Sequence, residues 1–194
     1  MARKKRGKET KKATYIFCEG ETEEQYFKLL KRKYRSSLVK IDVKVPGNTD
    51  PVGIVESVRK HFRVNENDAE RIYVVFDYDG HTREEIEKAV ALAKKRNITV
   101  LYSNHCFEVF LLSHFQKINT NHTAKMLYNK LERELGISSY DDFKGKELNM
   151  LVDLVNRAES NCTHFSKDVH ICLTTNPYTN IPHYLKEIFQ VENL

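Results

Sequence analysis

The sequence predicts an α/β domain: a mostly parallel sheet of about four strands covered by helices, followed by a mainly helical C-terminal part. Three observations predict it. Short apolar runs suited to strands alternate with segments whose apolar residues recur at helical spacing. Residues 72–76 (IYVVF) are apolar on both faces, as in a central strand of a covered sheet. Glycine (7) and proline (4) are scarce in 194 residues, which favours long helices over a sandwich or a propeller.

Each element has its own signal. Residues 13–18 form a short apolar run ending at Glu19, a strand. Thr22 and Gln25 have capping-box spacing, ahead of a helix whose stripe is Tyr26, Phe27, Leu30 and Tyr34. Residues 39–45 alternate with period two, a half-buried strand. After a loop at 47–50, Asp50 caps and Pro51 opens a helix facing inward through Val55, Val58 and Phe62. The strand at 72–76 runs into Asp-Tyr-Asp-Gly-His. A second capping box, Thr82 with Glu85, then opens a helix with Ile86, Ala89, Val90 and Ala93 inward. Residues 98–102 are the next strand. Beyond Ser103 the chain turns helical: 107–115 is almost wholly apolar, and Leu127, Leu131 and Leu135 recur up to Gly136. Residues 148–158 repeat the helical pattern, 168–173 read as a last strand, and a final helix opens near Pro182. This gives a basic tail, 1–12, and a single domain, 13–194, whose helical extension begins near residue 103.

The formal charge is +5, and its location matters more than its size. The tail holds Arg3, Lys4, Lys5, Arg6, Lys8, Lys11 and Lys12 against Glu9, a net of +6. The other 182 residues carry 25 basic and 26 acidic side chains, a net of −1. The body is thus near neutral and offers no basic groove by count, whereas the tail is an electrostatic handle for nucleic acid. No apolar run approaches the ~18 residues of a membrane span. Residues 15–18 run straight into Glu19, so the basic start lacks the apolar stretch of a secretory signal. A cytoplasmic protein without membrane association is expected, and a homo-oligomer is compatible with this composition. Cys18, Cys106, Cys162 and Cys172 form no CxxC, so no disulfide framework is predicted. Cys162, His164, His170 and Cys172 are all zinc-binding residue types, but their spacing matches no zinc fold.

Carboxylates cluster at two equivalent places. Glu19, Glu21 and Glu23 follow the first strand, and Asp77 and Asp79 follow the third. Both are strand-to-helix loops at the edge where open α/β sheets place their sites. If the two strands are neighbours, about 5 Å apart, the acids meet. Such a cluster repels itself without a cation, and hard oxygen ligands with open positions suit Mg²⁺ or Mn²⁺. An ion of this kind activates water and neutralises charge on a phosphodiester. Acids in a first helical turn are also favoured by the helix dipole alone, and this bears on Glu23 and on Glu108, the lone acid in an apolar helix. Asp-Tyr-Asp-Gly-His-Thr resembles the DxDGT of haloacid-dehalogenase-type phosphatases. Here His81 intervenes before Thr82, and the motif ends the third strand rather than the first.

Four segments occur in order: FCEGETEEQYF (17–27), FDYDGH (76–81), SNHCFEVFLLSHF (103–115) and NPYTNIPHYL (176–185). Together they resemble the RloB-like family of Toprim-type proteins found with bacterial restriction and phage-defence loci. The resemblance covers essentially everything after the tail. It implies a Toprim core, with Glu19 as general acid or base and Asp77 and Asp79 holding Mg²⁺. Similarity to overcoming-lysogenization-type nucleases adds Glu23 as a ligand. The resemblance also implies an ABC-type ATPase partner. The chain departs from the family pattern at His105, where proline is usual, and at Tyr78, where arginine is frequent. The expected Tyr-x-Lys is blurred into Tyr140-Asp-Asp-Phe-Lys144, which puts Lys144 in doubt. His81, Asn104, Glu108, Asn176 and Glu21 are further candidates near substrate or metal, although asparagines most often serve turns.

The function expected is a Mg²⁺- or Mn²⁺-dependent Toprim-type nuclease hydrolysing DNA or RNA, tRNA included, in anti-phage defence. The catalytic set is Glu19, Asp77 and Asp79, and the metal set is Glu19, Glu23, Asp77 and Asp79. The alternative is a non-catalytic nucleic-acid-binding or sensor subunit with a structural metal.

Overall fold

The computed structural model describes residues 12–43, 50–61, 69–144 and 148–194. Five strands form one sheet in the order β2-β1-β3-β4-β5. These are β1 (Ala13–Cys18), β2 (Val39–Val43), β3 (Ala69–Asp77), β4 (Thr99–Asn104) and β5 (Tyr178–Thr179). The first four pair in parallel, and β5 pairs antiparallel with β4 through Ser103↔Thr179 and Asn104↔Tyr178. Helices α1 (Glu21–Lys33), α2 (Pro51–His61) and α3 (Arg83–Lys95) connect the parallel strands. The helical part contains α4 (Glu108–Ser113), α5 (Ala124–Leu135), α6 (Asn149–Val152), α7 (Val155–Asn161), α8 (Val169–Cys172) and α9 (Pro182–Phe189).

Side-chain alternation in the strands feeds two cores. Ile16, Cys18, Tyr73 and Val75 face α1, α4, α5, α7 and α9, where Tyr26, Phe27, Leu30, Phe110, Leu127 and Ile188 are buried. Phe17, Val74, Phe76 and Tyr102 face α2 and α3, against Ile54, Val55, Ile86 and Val90. At about 1.5–3 kcal/mol for each fully buried large apolar side chain, these two layers are the main source of stability. Tyr26 is tied down as well as buried: its hydroxyl donates to His114 Nε2 at 2.6 Å. The His114 Nδ1 side faces the carbonyls of Phe110 and Leu111 at 3.1 and 3.0 Å.

Local chemistry matches the sequence expectation at several boundaries. Asp50 Oδ1 accepts from Gly53 N at 2.7 Å ahead of α2. Thr82 and Glu85 form the full capping box of α3. Gly136 ends α5 with φ 67°, a left-handed conformation that glycine adopts without steric cost.

Two expectations are corrected. The cap of α1 is Gly20, not Thr22: the helix begins at Glu21 and makes no side-chain cap. The chain turns immediately after Glu19, so Thr22 and Gln25 already lie within the first helical turns. Residues 168–173 are not a strand. Asp168 accepts from His170 N at 2.9 Å and starts the short helix α8, a local bond that outcompetes a period-two pattern only three apolar residues long. The last strand is instead β5, ten residues on. Beside it, Asn180 satisfies the edge of β4, accepting from Tyr102 N at 2.8 Å and donating to Val100 O at 3.0 Å. Phe62, residues 44–45 of the predicted second strand, and tail residues 1–11 lie outside the described residues; Lys12 is exposed.

Candidate functional site

The chain order places a switch point between β1 and β3. From β1 the chain passes through α1 on one face to β2, and from β3 it passes through α3 on the other face to β4. Open α/β sheets bind ligands in the crevice outside the carboxyl ends of two such strands. Glu19 follows β1 and Asp77 ends β3, and Glu19 N donates to Val75 O at 3.0 Å. Asp77 N then donates to Glu19 Oε2 at 3.4 Å. The two acidic motifs, 58 residues apart in sequence, are therefore adjacent in space.

Four carboxylates share this edge. Asp77 is pushed well above the usual carboxylate range by desolvation, then by the negative charges of Glu23, Glu19 and Glu108. The Phe107 N–H, donating to Asp77 Oδ2 at 3.0 Å, opposes the shift. Glu23 is 7% exposed, and its pKa is raised from 4.5 to about 7, again chiefly by desolvation, with Glu108 and Glu19 adding repulsion. Gly20 makes room for it: a Cβ there would lie 2.6 Å from Glu23 Oε2. Glu108 enters from α4, whose first turn it occupies, and is 5% exposed.

Basic and aromatic groups ring the acids. His81 Nε2 lies 3.1 Å from Glu19 Oε1. His105 Nε2 lies 3.6 Å from Asp79 Oδ1. Lys144 Nζ donates to Tyr128 Oη at 2.5 Å, sits 4.2 Å from the centre of the Tyr128 ring and pairs with Asp141 at 3.5 Å. Burial works against its charge, but the Tyr128 bond and the negative charge of Glu108 outweigh that and raise its pKa. Lys144 in turn lowers the pKa of Glu23. The thiol of Cys106 and the hydroxyl of Tyr140 are both pushed up, first by burial and then by Glu108. Tyr140 Oη is buried without a hydrogen-bond partner of good geometry.

The candidates from sequence thus separate. Glu19, Glu23, Asp77, Glu108 and His81 come together. Asp79 stands at the rim, its side chain 49% exposed. Glu21 is exposed and is not among the charges acting on Asp77 or Glu23. Asn104 donates to Leu173 O at 3.3 Å, and Asn176 clamps the backbone of His122, accepting from its N–H and donating to its carbonyl at 3.0 Å. Both asparagines are engaged with backbone. Cys162 is buried, His164 faces Ile118 O, and His170 is exposed, so the Cys/His group forms no site. Among the described residues no group of three His, Cys, Asp or Glu side chains stands ready to hold an ion. Lys144 gains standing, and Tyr128, Tyr140, His105 and Gly20 join the site. The blurred Tyr-Asp-Asp-Phe-Lys segment was the one sequence signal for Tyr140 and Lys144; Tyr128 has none.

Fold and site together define an α/β protein with a carboxylate cluster at the switch point of a mostly parallel sheet. The family is equally definite: residues 14–188 match the model of the RloB-like protein family, and the chain belongs to it. No curated protein and no solved structure matches the chain. Among the described residues no helix is long and apolar enough to cross a membrane.

Proposed function

We propose that this protein is a divalent-metal-dependent nuclease of Toprim type, hydrolysing phosphodiester bonds of nucleic acid at the β1/β3 edge. The observation that carries the reading is the crowding of buried Glu23 and half-buried Asp77 against Glu19 and buried Glu108. Carboxylates desolvated beside like charges are unfavourable in the empty protein, and perturbed acids in a crevice mark functional sites. The donor chemistry fits Mg²⁺ or Mn²⁺: oxygen atoms from Glu19, Glu23 and Asp77, with Asp79 at the rim. When bound, the ion supplies charge neutralisation at the phosphate and acidifies water. In this reading Glu19 would take the proton of an attacking water, and His81, 3.1 Å from Glu19 Oε1, would orient its carboxylate. Lys144 offsets the negative charge next to Glu23 and Glu108. An ABC-type ATPase acting with the protein, as the family resemblance implies, would gate this activity in phage defence.

A second reading draws on the exposed position of Asp79 and the lack of a ready three-ligand group. It makes the protein a non-catalytic nucleic-acid-binding or sensor subunit. One experiment separates the two: incubate the pure chain with plasmid, single-stranded DNA and total tRNA, with Mg²⁺, with Mn²⁺ and with chelator. Metal-dependent cleavage of any substrate, lost on Glu19→Gln, supports the nuclease. Binding without cleavage under every condition, the ATPase partner included, supports the subunit.

A further inference from the structure

The near-neutral body hides an uneven charge distribution. Residues 28–35 hold Lys28, Lys31, Arg32, Lys33 and Arg35 and no acid. Lys33 turns inward, donating to Val152 O at 2.8 Å. Lys28, Lys31 and Arg32 lie on the side of α1 opposite Tyr26, Phe27 and Leu30, and Arg35 follows the helix C-cap. With Gln25, Ser36 and Ser37 they line a shallow groove of about 540 Å³. Glu24 reaches this face and pairs with Lys28; Glu21 is exposed a turn earlier.

We propose that this groove is a binding track for the phosphate backbone of nucleic acid, an inference that rests on the nucleic-acid reading of the neighbouring site. Lys28, Lys31 and Arg32 recur at i, i+3 and i+4, spanning about 6 Å of helix axis at 1.5 Å per residue, and Arg35 follows just beyond the helix end. A duplex presents about one charge per 1.7 Å of axis over that length. The track starts on the helix that carries Glu23, with Lys28 about 7.5 Å further along the axis. A cluster of buried acids repels a polyanion, so a cationic strip beside it holds the strand that the acids alone would turn away. Every side chain lining the groove ends in a charged or polar group. The large exposed apolar side chains among the described residues, Met126 and Met150, lie on other elements. A protein interface would need an apolar centre that this face lacks.

The test is a salt titration of the full chain in chelator, so that binding is read without cleavage. Intact protein and Lys31→Gln/Arg35→Gln are compared on a labelled duplex and a labelled single strand between ~50 and ~200 mM salt. Losing two phosphate contacts flattens the log–log slope by about 1.8 on duplex or about 1.4 on single strand. Across that fourfold range the intact protein then loses about 7 to 12 times more affinity than the variant. The effect is the same for all sequences, and Lys31→Arg/Arg35→Lys keeps the original slope. Parallel lines, no measurable binding by the intact chain, or a flattened slope in the charge-conserving variant each overturn the proposal. So do parallel lines joined to lost retention on polyglutamate, which would assign the face to an acidic protein. Cleavage with Mn²⁺ is read on the same preparations. Flattened slopes without cleavage even when the ATPase partner is added leave the track standing and sink the nuclease, whereas cleavage with parallel slopes does the reverse.

Discussion

Replacing Glu23 by glutamine should stabilise the metal-free protein, and the gain should grow with pH. Glu23 is 7% exposed, and its pKa in the fold is about 7 against an ordinary 4.5. A carboxyl whose folded pKa is raised binds its proton more tightly in the folded than in the unfolded chain. Its stabilising contribution is therefore complete below about pH 4.5 and is lost as pH rises through about 7. At about 1.36 kcal/mol per pKa unit, ionising this buried group costs about 3 kcal/mol at pH 8 and under about 1 kcal/mol at pH 5. Glutamine keeps the shape and removes the charge. It also removes the repulsion that Glu23 exerts on Asp77, which adds in the same direction. Any fixed cost of burying an amide is common to both pH values and cancels in the comparison. For a domain of this size about 3 kcal/mol corresponds to roughly 6–12 °C in Tm. Thermal unfolding of both proteins in chelator at pH 5 and pH 8 measures it. The expected result is near-equal Tm at pH 5 and a clear advantage for Glu23→Gln at pH 8. A variant less stable at pH 8 than at pH 5, relative to the parent, would show that the ionised carboxylate is held by a favourable partner, and the self-repelling site would be refuted. Under the proposed function, Mn²⁺ at pH 8 raises the parent's Tm more than the variant's.

Other expectations follow from the same geometry. Asp77→Asn keeps an acceptor for the Phe107 N–H and so keeps the fold, but abolishes cleavage; unfolding on expression would make the aspartate structural. Asp79→Ala, at an exposed rim, changes stability by no more than about 0.5 kcal/mol and also abolishes cleavage; full activity would remove it from the metal set. Gly20→Ala forces the Glu23 carboxylate aside, since the new Cβ would sit 2.6 Å from Oε2; metal-dependent activity should fall while circular dichroism holds. Deleting residues 2–12 flattens the salt slope of nucleic-acid binding by roughly 3 to 5 units, and parallel titrations would remove the tail from nucleic-acid binding.

What the sequence revealed of this protein follows from the range of the forces involved. The parallel core was legible because each strand and helix is written locally, in apolar period and in caps such as Thr82/Glu85. The pairing of Glu19 with Asp77 was legible only conditionally. It needed β1 and β3 to be neighbours, which no local pattern states; the order β2-β1-β3-β4 supplies it. Short elements were misread because there a single side-chain bond decides: Asp168 turned a period-two stretch into α8. The two-residue β5 escaped notice because its ladder is finished by a side chain, that of Asn180.

The site's second half shows the limit most clearly. Glu108, Tyr128, Tyr140 and Lys144 come to the acidic edge from three separate stretches of the helical part; Glu108 stood out as a lone acid in an apolar helix, Tyr140 and Lys144 only through a blurred motif, and Tyr128 not at all. Their involvement is visible in the charges. Glu108 raises the pKa of Cys106, Tyr140 and Asp77, while Lys144 works against the rise in Glu23. The helical part is therefore more than a support for the sheet. It closes the acidic edge on the side of α4 and places one cation there, bonded to Tyr128 and paired with Asp141. A cluster assembled this way, with Glu19, Glu23 and Asp77 from the parallel core and both Glu108 and the balancing cation Lys144 from the helical part, is complete only when both parts of the chain fold together.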